Sequence, residues 1–422
     1  MIRLPFLSYI LFILFFLSAQ VIAEENSEEN YIIVNAIIKN KTAYHKDSDD
    51  KAERSQNDNS LLIKFSQSGD TWSWFSKSRV QRLEGTNSSK SEVRGVRELQ
   101  VNLDYENLSY KFGRQQIVWG KTDGIRLLDV INPLDLHEFI LSDYSESRIP
   151  VWSFDTEIFF GDNSFEFLFV PEITSDLLPE PGDEFYIAPK VPAGIPFVVH
   201  DTIIPDNSSD NWEWGFKWSG RLGSMEYTLN AFHGWNNTPV PFRRLSAGPL
   251  LEISPRLTRE WLYGGSADLP IGPTILRLEL LYTPDRYRKI ETPDQVGDFI
   301  KQKTARIALG LDWIKDNWLI SPQLFYEDIL DPDPRLSEDP SLAYATLLVQ
   351  RKFIQDKLEL RLFYLRGLNN EDSWISPKIS YRFFDTLTVQ LGADLISGET
   401  DGIFGQFRDR DRITIETTWY FL

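Results

Sequence analysis

Along Glu98-Leu99-Gln100-Val101-Asn102-Leu103-Asp104-Tyr105-Glu106, apolar and polar side chains alternate without interruption. Successive side chains of a strand point to opposite faces, so this segment reads as a strand with one apolar and one wet side. The pattern returns at Ile307, Leu309, Leu311 and Trp313 against Arg306, Gly310 and Asp312. It returns again at Leu358, Leu360, Leu362 and Tyr364 against Lys357, Glu359 and Arg361. Many such strands must either stack as two sheets or close into one cylinder.

Two considerations favour closure. In Thr274 to Tyr282, Leu276, Leu278, Leu280 and Tyr282 share one side, and Arg277 and Glu279 the other. If the leucines face lipid, the charges fall in a wet lumen together with Gln100, Asn102, Asp104, Arg306, Asp312, Glu359, Arg361, Lys378 and Arg382. Basic residues on the lipid side would cost about 2–4 kcal/mol each near the midplane. A soluble sandwich would instead require the leucine faces to meet. The aromatic content of 14% also suits a transmembrane barrel. Trp212, Trp214, Phe216 and Trp218 put four rings on one face, as an aromatic girdle at a membrane boundary would. A carbohydrate platform or a plain core is the alternative for those rings.

Turn chemistry sets the count. Tight turns read at Ser68-Gly69-Asp70, Glu106-Asn107, Gly161-Asp162-Asn163, Leu222-Gly223-Ser224, Pro270-Ile271-Gly272, Lys315-Asp316-Asn317, Gln355-Asp356-Lys357 and Phe384-Asp385-Thr386. Longer connections alternate with them, near 41–59, 84–94, 120–148, 175–211, 238–254, 284–303, 331–341, 369–373 and 397–408. The expected fold is therefore all-β: a single transmembrane antiparallel β-barrel of about 18 strands, with about 16 as the fallback. Its short turns would be periplasmic, its long loops extracellular, and one segment folded inward.

The chain opens with Arg3, an apolar run from Leu4 to Leu17 and Ser18-Ala19-Gln20-Val21-Ile22-Ala23, which reads as a signal peptide over 1–23 removed on export. The run is short for a membrane anchor, which needs roughly 20 residues. The barrel then occupies 24–422, with an insertion at 120–148 expected in the lumen and a Pro-rich loop at 174–210 expected outside as a lid or an ordinary surface loop. A chain without cysteine cannot rest on disulfides. A net charge of -18 repels phosphate and argues against nucleic acid.

The segment Tyr110 to Pro150 is unlike a generic barrel. It contains Gly113-Arg114-Gln115, Trp119-Gly120, Asp123-Gly124, Asn132-Pro133-Leu134-Asp135 and Arg148-Ile149-Pro150. This series resembles a proteobacterial family of porin-like outer-membrane barrels of undefined role. The resemblance implies fold and location, and leaves open an apolar cargo passed on by periplasmic partners. The terminal strand Arg412 to Leu422 is similar to the one that the barrel-assembly machinery reads, although Phe421 is penultimate.

Physically, Leu127-Leu128, Val130-Ile131 and Leu134 are too apolar for a loop in water. The expectation is a short helical constriction in the lumen, with Arg114, Arg126 and Arg148 meeting Asp123, Asp129, Asp135 and Glu138, and with Gln115 and Asn132 beside them. A surface cap or an oligomer contact is the alternative.

Enzymatic chemistry has little support. His45, His137, His200 and His233 lie in no Gly-x-Ser-x-Gly or His-Glu-x-x-His context. The spacing of Asp123, Asp129 and Asp135 lacks the compact pattern of a calcium loop. No catalytic residue, metal or cofactor is expected. The expected function is passage of a small or medium solute across the outer membrane, with lipid and lipopolysaccharide as surroundings. The competing reading is a scaffold or sheath for a periplasmic or surface partner.

Overall fold

The computed structural model describes residues 32–421 except 47–51, 86–88, 123, 192–193, 246–249 and 295–296. The expected leader at 1–23 and Asp123 lie outside the described residues. In chain order the strands are β1 (Ile33–Lys46), β2 (Ala52–Ser68), β3 (Trp72–Gly85), β4 (Ser89–Tyr105), β5 (Leu108–Gln115), β6 (Val151–Phe160) and β7 (Asn163–Val170). After a short β8 (Phe197–Val199) come β9 (Glu213–Leu222), β10 (Met225–Trp235), β11 (Val240–Leu245), β12 (Leu251–Arg256) and β13 (Arg259–Ile271). The rest are β14 (Thr274–Asp294), β15 (Gly297–Lys315), β16 (Trp318–Leu330), β17 (Ser341–Phe353), β18 (Leu358–Gly367), β19 (Ser373–Phe384), β20 (Leu387–Ser397) and β21 (Arg412–Phe421).

Eighteen of these form one sheet in which each strand pairs antiparallel with the next, β7 passing to β9 and β10 to β13. The sheet closes on itself, because β21 pairs with β1 from Ala36↔Phe421 to His45↔Arg412. Closure satisfies every strand edge internally, the condition for placing a sheet in hydrocarbon. Strands β8, β11 and β12 make a separate small sheet in the connections at the loop end.

Side-chain alternation sorts the wall into two faces. Leu276, Leu280, Leu309 and Leu324 are exposed outward. Glu279, on the opposite face, is only 1% exposed. Lumen charges pair across neighbouring strands: Arg277 with Asp312 at 2.7 Å, Lys77 with Glu98 at 2.9 Å, and Lys217 with the Glu166 directly opposite it. The outward rings of Trp212 to Trp218 continue across the wall. Phe165 and Phe167 lie 5.7 and 5.3 Å from Phe216, and Trp214 lies 4.9 Å from Trp261. They follow the height of β9 rather than forming a band at one rim.

All eight expected tight turns connect consecutive barrel strands. The connections expected near 41–59, 84–94 and 284–303 differ: there the ladders run on to Lys46↔Ala52, Glu84↔Ser89 and Asp294↔Gly297. These stretches are polar on both sides, so they carry no period-two signal, yet ladder hydrogen bonds keep them extended. At 21 residues, β14 is about twice the roughly 9–11 that a membrane-spanning strand requires. The hairpin therefore projects beyond the bilayer.

Candidate functional site

Strand β5 is only 8 residues long, and the chain leaves the wall after Gln115 to return at Val151. Asn132, wholly buried, ties the two ends together. Its Oδ1 accepts from the backbone N–H of Ile117, and its Nδ2 donates to Gln115 O and Ile149 O at 3.3 and 2.9 Å. Gln115 also donates from Nε2 to Ser153 Oγ at 2.9 Å. Next to Asn132, Ile149 N donates to Pro133 O and Asp135 N to Ser147 O, at 2.8 and 2.7 Å. An asparagine that answers three backbone groups replaces the ladder that the strand has given up.

Beyond this neck the insertion is apolar on the side that meets the wall. Ile117, Trp119, Leu127, Leu128, Ile131 and Leu141 form one cluster with inward side chains of the strands, among them Val151, Leu168, Phe232, Leu281, Phe325 and Phe363. Burying a Leu or Ile side chain that would otherwise meet water is worth about 1.5–3 kcal/mol. Several together outweigh any single surface ion pair, worth about 0–1 kcal/mol. The wall makes room: a Cβ on Gly215 would lie 2.6 Å from the Trp119 ring, and one on Gly264 2.4 Å from Leu128.

Polar anchors fix the depth of the insertion. Trp119 Nε1 donates to Glu166 Oε1 at 2.8 Å. The Glu279 carboxylate accepts from the backbone N–H groups of Lys121, Thr122 and Leu128, the last two at 3.0 and 3.3 Å. Lys121 also pairs with Asp268. Glu279 thus caps a buried turn much as a carboxylate caps a helix N-terminus.

The expected charged residues fall into separate groups. Asp129 accepts from Arg148 Nε at 2.7 Å and has Arg126 at 3.6 Å, and both guanidiniums stand over the Tyr144 ring. Burial lowers the Arg126 pKa. Asp135 binds His137 Nδ1 at 2.6 Å. Glu138 joins a third group, with Lys41, with Gln56 at 2.7 Å and with Arg412 at 2.9 Å. Arg412, whose side chain is buried, also holds Asp394 at 3.0 Å.

Three expectations need correction. Arg114 does not line the lumen: Ser109, Lys111, Gly113 and Gln115 take the inward positions of β5, which leaves Arg114 outward beside Phe112. Its Nε and Nη1 donate to Pro150 O and Val96 O at 3.1 and 3.2 Å. These bonds make a charge tolerable at the rim, where lipid exposure costs about 0–1 kcal/mol. Secondly, the insertion is not helical. Its one helical turn among the described residues is Tyr144–Ser147, because Pro133 and side-chain bonds to the backbone replace the helical ladder elsewhere. Thirdly, the 174–210 loop is not wholly external. Leu177 bridges Asp135 in parallel, Phe185 is 1% exposed among the core residues, and Asp176 accepts from Leu134 N at 2.7 Å and Thr238 Oγ1 at 2.6 Å. Burial raises the Asp176 pKa.

Lys41, Glu166, Asp176, Glu279 and Arg412 complete the site without any motif. Glu279 alone carried a signal, as a single acid on the inward face of a leucine strand.

A sealed, even-stranded antiparallel cylinder with leucines outside, charges inside and an insertion folded against its inner wall defines a porin-like outer-membrane β-barrel. Residues 36–421 match the family described as "Protein of unknown function (DUF1302)", and the chain belongs to that family. Among solved structures, the chain is similar to OmpF of Salmonella typhi in complex with daunomycin, at 10% identity, covering 94% of this chain and 100% of that one, with a TM-score of 0.44. It is also similar to OccK5 (OpdH) of Pseudomonas aeruginosa, at 11% identity over 92% and 97% of the two chains, with a TM-score of 0.49. OccAB3 of Acinetobacter baumannii gives 9% identity over 92% and 99%, with a TM-score of 0.48. No curated protein matches the chain.

Proposed function

We propose that the protein is an outer-membrane channel that passes a small or medium solute, with the 120–148 insertion setting its size and charge selectivity. The observation that carries this reading is the insertion itself. Its apolar side packs on the wall, and it fixes charges inside the barrel, the Arg126, Asp129 and Arg148 group within itself and Glu138 against Arg412 of the wall. Rings of charge and a constriction are the ordinary means of pore selectivity, and no reaction is required. In this reading the leader is removed on export, the assembly machinery inserts the barrel into lipid and lipopolysaccharide, and the tight turns face the periplasm.

Planar-bilayer recording with the purified full chain tests the reading. Discrete openings are expected, with Asp129→Asn shifting the cation-to-anion permeability ratio by about twofold or more. Liposomes containing the protein should swell in sugars, amino acids or organic acids that the channel admits. A barrel that neither conducts nor supports swelling removes the proposal.

A further inference from the structure

At the loop end, between the insertion and the wall of β15 to β17, lies a cavity of about 430 Å³. Ligand sites for small molecules span roughly 300–1,000 Å³. Leu127, Phe139, Phe325, Leu342 and Phe404 line it, with Phe139 and Phe404 edge to face at 5.5 Å. The charged side chains of the lining are uneven in number, Arg126, Arg288 and Arg306 with Glu327 and Glu338. Glu327 serves two of them, lying 3.2 Å from Arg306 Nε and also pairing with Arg288. Among the described residues, no hydrogen-bond acceptor meets the buried Arg306 Nη2, and Asp129 lies 3.6 Å from Arg126 Nη1, too far for such a bond.

A buried guanidinium short of acceptors is costly, and a carboxylate or similar oxyanion repairs it with two parallel N–H···O bonds. A lining that sets apolar rings beside three arginines and two glutamates fits a molecule with the same division. We infer that this cavity binds amphipathic anions, with an aromatic or aliphatic body against Phe139, Phe325 and Phe404 and an oxyanion head towards Arg306. The inference deepens the channel reading and depends on it for the role of the site, as a way-station for the permeant.

Calorimetric titration of the full-length protein in detergent tests binding directly. The probes are 2-naphthoate and 2-naphthylmethylammonium, alike in apolar body and opposite in charge. Saturable naphthoate binding at least tenfold tighter than that of the ammonium is expected. Arg306→Gln should weaken it about tenfold or more, and Leu342→Trp, which fills the cavity without touching the charges, should abolish it. Equal affinity for the two probes, or naphthoate binding that survives Leu342→Trp, overturns the inference. Conductance of the same preparations separates the two readings: openings without naphthoate binding sink this site alone, whereas binding without openings sinks the channel and leaves the site standing.

Discussion

Asn132 Oδ1 lies 2.6 Å from the backbone nitrogen of Ile117, so the middle of the insertion is pinned to the point where the chain departs from the wall. Asn132→Ala strands that N–H and releases Gln115 O and Ile149 O, at about 1–3 kcal/mol for each buried group left unpaired. The barrel should still form, with its heat-resistant migration in gels retained. Proteolysis within 116–150 should become at least several times faster, and unchanged proteolysis would show that Asn132 is not the latch.

Gly215 faces Trp119 with no space for a side chain. Gly215→Val should push the indole off Glu166 and displace the insertion while the β9 ladder holds. Larger single-channel conductance than wild type is the expected reading. Conductance equal to wild type would mean that the insertion does not limit the pore.

Leu278 shares the outward face with Leu276 and Leu280, both exposed. Leu278→Arg should lower the folding free energy by about 2–4 kcal/mol, measured by urea titration in lipid vesicles. A loss below about half a kcal/mol would place this face away from hydrocarbon.

Turns at Gly161-Asp162 and Asp316-Asn317 announce themselves, because φ is positive at Gly161, Asp316 and Asn317 and few residue types tolerate it. Faces followed from alternation. At Arg114 alternation counted from the inward Gln115 gives the outward face, whereas the Gly113-Arg114-Gln115 motif carries no face at all. The charge partners of the insertion were not legible, since Glu138 meets Lys41 and Arg412 across separations of 97 and 274 residues. Nothing local encodes such contacts. They arise when the cylinder closes.

The pH response follows from Glu138. Burial pushes its carboxyl up, but Lys41 and Arg412 outweigh burial and hold it well below its ordinary value. A depressed folded-state pKa gives stabilisation that is complete above the unfolded value, about 4.3, and lost as pH falls through the lower one. The hold of Glu138 on the insertion should therefore be unchanged from pH 7 to about 5 and weaken only below about 4, read as faster proteolysis within 116–150. An acceleration centred near pH 6 would assign the release to another group.

Lys41 belongs to the first strand and Arg412 to the last, the two edges that meet to complete the wall, and both take the same counter-ion from the segment they enclose. Closing the seam and enclosing the insertion are thus tied through one carboxylate. A chain deleted between Gly120 and Arg148 brings two cations to the joint without their shared carboxylate. Such a chain should assemble more slowly than the parent, which pulse-chase gel mobility would reveal. Biogenesis, on this view, proceeds by wrapping a sheet around its own contents rather than by threading a stopper into a finished tube.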